Sequence, residues 1–183
     1  ETPEELLKGA VTSPAGNYLF NVNPKCERLD SETAAMYHHL TAKLLYLAKR
    51  VRPDLQPAVS FLCTRVQSPD KDDWKKLGRC LTFLRDTKHE PLTLSADGSW
   101  TIRWWVDASY AVHPDMKSHT GATMSLGQGC VYSMSTKQKL NTRSSTEAEL
   151  VAVNDAMSKI LWTRLFIEAQ GYAVSDNVIY QNN

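Results

Sequence analysis

Three oxygen-bearing side chains lie where predicted secondary-structure elements begin or end, and their chemistry suits divalent cations. Asp107 closes an apolar and aromatic stretch, Glu149 opens a long amphipathic segment, and Asn182 follows the last apolar stretch. Hard cations prefer oxygen ligands, and carboxylates can hold two such cations about 4 Å apart. The three residues outline a two-metal site in which an amide replaces the third carboxylate.

Each of the two acidic residues also has a purely structural interpretation when it is considered alone. An Asp at the end of a strand commonly caps the turn that follows it, and this interpretation applies to Asp107. A Glu near the start of a helix complements the helix dipole or completes a capping pattern, here after Ser145 or Thr146. The pattern of the whole chain must therefore decide between structure and chemistry.

The first half of the chain has the spacing of a helical module. Residues 1–29 contain Gly and Pro and one stretch, 18–22, that is predicted to be an extended strand. Three amphipathic helices follow, and Ser31 is the predicted N-cap of the first. Pro53 and Pro69 separate the helices, because a proline disfavours helical geometry in the residue before it.

The second half of the chain has the spacing of a sheet with one long helix. Alternation of apolar residues predicts strands at 92–94, 100–107, 120–126, 130–135 and 177–181. The helix is predicted from Ser145 to Ala169, and Gly171 has the position of a C-cap. Its predicted apolar face consists of Leu150, Val153, Ala156, Met157, Ile160, Leu161, Leu165 and Phe166. These elements predict an α+β fold in which the helix is a crossover in a mixed sheet.

Composition describes an ordinary globular chain without a global charge that would attract a polyanion. Of the 183 residues, 42% are hydrophobic and 22% are charged, and the net charge is +1. Any nucleic-acid surface must therefore come from local clusters. The cysteines lack zinc-site spacing, which predicts buried free thiols and a reducing compartment; they are Cys26, Cys63, Cys80 and Cys130.

Two further observations concern the setting of the chain. No apolar run has the length of a membrane span, so no membrane partner is expected. The chain starts without Met, which suggests a piece of a longer polypeptide.

His113 and His119 have no partners at ligand spacing and are predicted to lie on the surface.

An ordered string of motifs resembles the ribonuclease H region of copia-type LTR retrotransposon polyproteins. The string reads Trp-Val-Asp-Ala-Ser-Tyr at 105–110, Lys-Gln-Lys-Leu-Asn at 137–141, Ser-Ser-Thr-Glu-Ala-Glu at 144–149 and Tyr-Gln-Asn-Asn at 180–183. The third motif is the most specific. The resemblance extends over residues 15–183, nearly the whole chain.

The upstream motifs resemble the end of the reverse transcriptase in the same polyproteins. They are Tyr-His-His-Leu at 37–40, Arg-Pro-Asp-Leu at 52–55 and Asp-Thr-Lys at 86–88. The resemblance implies a strand and loop lead-in over residues 1–29, then a thumb or connection segment over residues 30–90. A ribonuclease H-like domain follows over residues 91–183 and is expected to be truncated at its C-terminus.

The resemblance also implies a reaction, in which two Mg²⁺ ions, replaceable by Mn²⁺, act in endonucleolytic cleavage of the RNA strand of an RNA/DNA hybrid. Asp107 matches the first metal ligand and Glu149 the second, with Glu147 as a rival two residues earlier. The third family position reads Tyr-Gln-Asp-Asn, whereas this chain has Asn182 there. The family's fourth acidic residue lies downstream of Asn183. Cleavage is therefore expected to be weak or absent.

Substrate contacts are implied by the same resemblance. Three hydroxyl-bearing residues match the loop that reads 2′-hydroxyls across the minor groove, the feature that distinguishes RNA from DNA; they are Ser144, Ser145 and Thr146. Three basic residues on the approach are candidates for phosphate contacts; they are Lys137, Lys139 and Arg143. For each basic residue taken separately, a solvated basic turn is the alternative.

The resemblance implies two partners: the RNA/DNA hybrid and the reverse transcriptase polymerase domain of the parent polyprotein. It also implies a cytoplasmic location, in virus-like particles where the element is intact. Two other functions are open: an inactive hybrid-binding or protein-interaction scaffold, and a structural joint between the polymerase and a partner subunit. Asn182 is explained by natural decay or by deliberate substitution that holds a substrate uncut, and codon 182 of the parent transcript distinguishes these.

Overall fold

The computed structural model describes residues 4–7 and 9–181. Contacts divide the chain into two compact units, Glu1–Pro91 and Leu92–Asn183. The first unit is helical, and the second contains a mixed sheet packed against one long helix. The α+β class expected from the sequence is therefore confirmed.

Three helices build the first unit: α1 (Ser31–Arg50), α2 (Gln56–Arg65) and α3 (Lys71–Asp86). Short 3₁₀ turns at Glu4–Leu6 and Pro53–Leu55 accompany them. Their shared core is apolar and almost completely buried; it includes Tyr37, Leu44, Leu55, Val59, Leu62, Leu77 and Cys80. The four cysteines are free thiols, and none of the described helices is long and apolar enough to cross a membrane.

Aspartates cap α1 and α3, and Ser31, the N-cap expected for α1, is instead the first residue of that helix. Within the described residues, no side chain caps α2. The carboxylate of Asp30 accepts hydrogen bonds from the backbone N–H groups of Glu32 and Thr33, and Asp30 is therefore the N-cap of α1. Asp70 and Asp73 form a reciprocal capping box at the start of α3. The breaks between the helices were predictable because Pro53 lies between α1 and α2 and Pro69 lies between α2 and α3.

The extended strand predicted at 18–22 is wrong, since this stretch forms turns. The N–H of Leu19 donates to the carbonyl oxygen of Gly16, and the N–H of Asn21 donates to that of Tyr18, each at 3.0 Å. Leu19 is buried, and the ring of Phe20 packs edge-on against Phe61 with centroids 5.7 Å apart. The apolar residues of this stretch anchor a loop to the helices and have no strand to pair with in the described part of this unit.

Six strands and one helix build the second unit: β1 (Ser95–Ala96), β2 (Thr101–Ser109), β3 (His119–Ser125), β4 (Gly127–Gln128), β5 (Tyr132–Lys137), α4 (Ser145–Ala169) and β6 (Asp176–Gln181). The main sheet has the order β5-β3-β2-β6. Its first three strands form an antiparallel meander, and β6 lies parallel to β2. The helix α4 is the crossover that makes this parallel pairing possible.

Two short pieces differ from the strands that the sequence predicted. The strand expected at 92–94 does not form, and pairing begins instead at Ser95, in the two-residue β1. Its partner is β4, which lies in the connection between β3 and β5 where a simple hairpin turn was expected. Both pieces are too short for the alternation of apolar residues to define their limits.

Burial alternates along β2 and defines the face that α4 covers. Ile102, Trp104 and Val106 are 1%, 0% and 2% exposed and belong to one core with residues of α4. Trp105, which lies between two of these residues, and Asp107, which follows the last of them, are exposed. This is expected because successive side chains of a strand point to opposite faces. This alternation leaves Asp107 accessible at the carboxyl end of the strand.

The apolar face predicted for α4 is only in part the face that packs on the sheet. The buried line contains mostly small residues four positions apart: Ala148, Ala152, Ala156 and Ile160. In contrast, several large residues of the predicted face are 47–66% exposed; they are Leu150, Leu161, Leu165 and Phe166. The prediction assumed that the large apolar residues of the helix face the sheet. Alanines face it instead, and their small side chains let the helix approach the sheet closely.

The surface positions predicted for His113 and His119 are wrong, since the two side chains are only 4% and 6% exposed. Nε2 of His113 lies 3.0 Å from Nδ1 of His119, and Nε2 of His119 lies 2.6 Å from Oγ of Ser135. The rings are buried because they satisfy each other's hydrogen-bonding groups. Spacing in the sequence does not reveal this pairing.

The buried histidine pair predicts acid sensitivity of the sheet unit. Burial and the neighbouring His113 lower the pKa of His119 from 6.5 to about 4. Below pH 6.5 the unfolded chain takes up a proton that the folded chain does not accept until about pH 4. Stability is therefore complete above pH 6.5 and falls by about 3 kcal/mol as the pH drops to 4.

Urea unfolding followed by tryptophan fluorescence at pH 7, 5.5 and 4.5 measures this dependence. The variant His119→Asn is the control, since it removes the titrating ring. We expect its free energy of unfolding to change less over this pH range than that of the unsubstituted chain. An equally steep fall in both proteins would contradict the prediction.

Candidate functional site

The carboxyl ends of β2 and β6 lie side by side at one edge of the sheet. The two strands are parallel, and their register pairs Trp105 with Tyr180 and Val106 with Gln181. Asp107 is the next residue of β2 after Val106. Asn182 follows Gln181 in the sequence and lies outside the described residues. Such an edge is where open α/β sheets commonly bind ligands.

The carboxylates of Asp107 and Glu149 meet at a single backbone donor. The N–H of Ala108 donates to Oδ1 of Asp107 at 2.9 Å and to Oε1 of Glu149 at 3.1 Å. The two oxygens are therefore no farther apart than the sum of these distances. This separation suits a two-metal site, in which the ions lie roughly 4 Å apart and each oxygen roughly 2 Å from its ion.

A second donor holds the other oxygen of the Glu149 carboxylate. Nε2 of Gln181 donates to Oε2 of Glu149 at 3.0 Å and also to the backbone oxygen of Glu149 at 2.8 Å. Glu149 lies in the second turn of α4, rather than at its very start, and is half-buried. Donors from β2 and β6 thus fix both oxygens of this side chain.

Glu147 has the capping role that was the structural alternative for Glu149. The N–H of Glu147 donates to Oγ of Ser144, the N-cap of α4, at 3.1 Å. Its Oε2 accepts a hydrogen bond of 2.6 Å from the backbone N–H of Arg143. The carboxylate of Glu147 therefore turns back over the start of the helix, whereas that of Glu149 lies beside Asp107.

The donor set at this edge fits a hard divalent cation. Asp107 and Glu149 supply carboxylate oxygens, each of which retains an acceptor position beyond its single hydrogen bond. Oxygen ligands of this kind suit Mg²⁺ and Mn²⁺. The part of the chain that the structure describes thus provides two ligand side chains, and residue 182 is the expected third.

A second group with metal-binding chemistry lies in the helical unit. Ligand atoms of Cys26, Asp70 and Asp72 lie within 4.8 Å of one another. The carboxylate of Asp70, however, already accepts from two backbone N–H groups of α3 and pairs with Arg65 at 3.1 Å. These bonds account for the cluster as a helix cap with its counter-ion.

The residues predicted to contact substrate surround the start of α4. Ser144 is the N-cap, and Ser145 and Thr146 are the first residues of the helix; all three are exposed. They precede Glu149 by about one helical turn. A hybrid that reaches the carboxylates from this side would pass these hydroxyls.

The predicted basic residues differ in their surroundings. Nζ of Lys137 lies 2.7 Å from Oδ2 of Asp115, so Lys137 is already paired with a carboxylate. Lys139 and Arg143 are exposed, and their side chains have no charged partner within the described ranges 4–7 and 9–181. The latter two are therefore better placed to contact a phosphate.

Two groups at this edge were missed in the sequence. One is the N–H of Ala108, which a sequence cannot show as a site because every residue but proline has this group. The other is Gln181, whose single signal was its place beside Asn182 in the Tyr-Gln-Asn-Asn motif. Its contact with Glu149 depends on the parallel pairing of β6 with β2.

The chain is similar to Pol polyproteins of plant transposons and to a secreted effector protein. It is 26% identical over 175 residues to the retrovirus-related Pol polyprotein from transposon TNT 1-94 of Nicotiana tabacum, covering 93% of this chain and 13% of the polyprotein. It is 33% identical over 149 residues to that from transposon RE2 of Arabidopsis thaliana, covering 80% and 10%. No family model and no solved structure matches the chain.

A third relative is similar to the chain over most of its own length. The secreted RxLR effector protein 161 of Plasmopara viticola is 31% identical over 127 residues, which cover 69% of this chain and 89% of the effector. The matches to the plant polyproteins confirm the predicted resemblance to a region of copia-type retrotransposon polyproteins. The chain spans about one tenth of the length of the plant polyproteins that it matches.

Proposed function

We propose that residues 91–183 are the ribonuclease H region of a retrotransposon polyprotein, which cleaves the RNA strand of RNA/DNA hybrids during reverse transcription. The observation that carries this proposal is the N–H of Ala108, shared by the carboxylates of Asp107 and Glu149. The similarity of this chain to Pol polyproteins of plant transposons supports the proposal. In this proposal residues 30–90 are the end of the reverse transcriptase, and the polymerase domain of the same polyprotein is the partner.

Asp107 and Glu149, together with residue 182, would hold two Mg²⁺ ions. When bound, the ions activate a water and neutralise charge at the scissile phosphate. The N–H of Ala108 keeps the two carboxylates together. Asn182 offers a neutral oxygen where a carboxylate would offset the dehydration of the cation, so metal binding and cleavage by this chain are weak.

The substrate contacts of this proposal come from the start of α4 and the turn before it. The hydroxyls of Ser144, Ser145 and Thr146 contact the 2′-hydroxyls of the RNA strand. Lys139 and Arg143 contact phosphates, and Lys137 does so only after it leaves Asp115. RNA/DNA hybrid, rather than DNA duplex, is therefore the preferred ligand.

Separate substitution of the two neighbouring glutamates tests the metal site. Mn²⁺ is titrated into the chain, and its position and affinity are measured by the broadening of backbone amide signals in NMR spectra. We expect weak broadening centred on Ala108, and a loss of affinity of at least about 10-fold in Glu149→Gln. Glu147→Gln is the matched control, since Glu147 caps the helix and does not contact Ala108.

The outcome for Glu147→Gln should be a loss of roughly 0.5–1 kcal/mol in stability with unchanged Mn²⁺ affinity. Equal losses of affinity in both variants would argue against Glu149 as the ligand. Saturation of the unsubstituted chain at micromolar Mn²⁺ would contradict the weak site that Asn182 implies.

The alternative function is a scaffold that binds hybrid, or a protein, without cleavage. Two observations favour it: Asn182 in the third ligand position, and the effector protein of which the matched segment covers 89%. Gel-shift and cleavage assays on one labelled hybrid separate the two functions. Binding with background cleavage in Mg²⁺, both by this chain and by Asn182→Asp, fits the scaffold, whereas robust cleavage by the chain as it stands would overturn the assignment of Asn182.

A further inference from the structure

Side-chain amides tie both ends of β6 to the backbone of α4. Near the start of the strand, Nδ2 of Asn177 donates to the carbonyl oxygen of Ile160 at 3.2 Å. At its end, Nε2 of Gln181 donates to the carbonyl oxygen of Glu149 at 2.8 Å. The two amides are four residues apart on a strand, so they point to the same face.

Gln181 makes a second contact that joins it to the proposed metal site. The same Nε2 donates to Oε2 of Glu149 at 3.0 Å, while the N–H of Ala108 donates to Oε1 at 3.1 Å. The carboxylate of Glu149 is thus fixed from two sides, by one donor for each oxygen. A glutamate without such donors would sample several rotamers, most of which direct its oxygens away from Asp107.

We propose that Gln181 is a positioning residue, whose amide holds the Glu149 carboxylate in the orientation that faces Asp107. This inference rests on the proposed function, because it takes Glu149 to be a metal ligand. Partners that hydrogen-bond to a ligating carboxylate orient it, and their loss typically lowers metal affinity 10- to 100-fold. The atom of Gln181 that faces Glu149 is its nitrogen, which donates hydrogen bonds and cannot bind a cation.

The test compares Gln181→Met with Asn177→Leu in the full chain. Methionine has a length close to that of glutamine but cannot donate, and Asn177→Leu removes the corresponding bond at the far end of the same strand. Both variants lose a bond between β6 and α4, so similar losses of stability are expected in urea unfolding. Mn²⁺ affinity, measured from amide broadening around Ala108, should fall about 10-fold in Gln181→Met only.

The same substitution in the Glu149→Gln background shows whether Gln181 acts through Glu149. No further loss of Mn²⁺ affinity is expected there, because the carboxylate that Gln181 orients is gone. An additional 10-fold loss in the double variant would show an independent effect and would overturn the inference. A purely structural role would lower affinity equally in Gln181→Met and Asn177→Leu, or in neither.

The failure of this inference and the failure of the proposed function have different signatures. Absence of Mn²⁺ broadening around Ala108 in the unsubstituted chain means that there is no metal site, and both ideas fail. Broadening there with equal affinity in Gln181→Met overturns the positioning role alone. Where Gln181→Met does not fold, Gln181→Asn replaces it, since its amide is one methylene shorter, and unchanged affinity in that variant overturns the inference.

Discussion

Asn182→Asp is expected to rescue the cleavage of an RNA/DNA hybrid only in part, with a rise of up to about 10²-fold in Mg²⁺. The substitution supplies an anion at the position that the family motif assigns to the third ligand. Preorganised groups that stabilise developing charge are worth about 10²- to 10³-fold in rate. The measurement is a gel assay with a labelled RNA strand, in which the products should carry 5′ phosphates.

Asn183→Asp is the matched control for this prediction. It adds the same charge one position later, which the family motif does not assign to the metal site. We expect its cleavage rate to stay close to background. An equal rise in both variants would indicate a general effect of charge, and the absence of a rise in Asn182→Asp would remove residue 182 from the site.

Asp107→Asn, made in the Asn182→Asp protein, is expected to abolish the restored cleavage and return it to background. In the proposed site Asp107 would hold metal through its carboxylate, and an amide cannot replace its charge. Folding should be preserved, because Asp107 is exposed and its hydrogen bond from Ala108 can be accepted by an amide oxygen. Gel shifts in the absence of metal should show hybrid affinity within about 3-fold of the parent, since phosphate and 2′-hydroxyl contacts are unchanged.

Asp176→Asn controls for the loss of one negative charge from the sheet. Asp176 begins β6 and pairs with Thr101, at the end of the sheet opposite to the site. Its substitution should leave cleavage unchanged. Retention of cleavage in Asp107→Asn, or its equal loss in both variants, would contradict the role assigned to Asp107.

Local signals in the sequence predicted most of the fold. The limits of α4, Ser145–Ala169, are confirmed because Ser144 and Gly171 mark its ends by capping and backbone geometry. The limits of the four main-sheet strands differ from the predicted limits by at most two residues, since strands end where their partners end. Predictions from the local sequence were wrong where tertiary packing determines the structure. Residues 18–22 form turns rather than a strand, and small residues of α4, rather than its large apolar ones, contact the sheet.

The sequence indicated the candidate residues of the site, but it did not predict the contacts between them. The motifs indicated Asp107 and Glu149, and the structure places Glu147, rather than Glu149, at the helix cap. Metal ligation by Asp107 and Glu149 stays a prediction. The contacts of Gln181 and of the Ala108 N–H depend on the pairing of β6 with β2, which joins distant parts of the chain. Buried histidines were missed for a similar reason, since their partners are each other.

The parallel pairing of β2 with β6 has a kinetic consequence for the site. Antiparallel pairing of β2, β3 and β5 connects neighbours along the chain, whereas β6 joins β2 only after the whole stretch from Ser109 to Asp176 has been enclosed. Loops of this length close slowly because their entropy is lost before the non-local contacts form. Folding is therefore expected to assemble the meander first and to bring Gln181 to Glu149 last. A nascent or partly refolded chain is then expected to have a native-like meander in which the carboxylates are not yet in contact with β6.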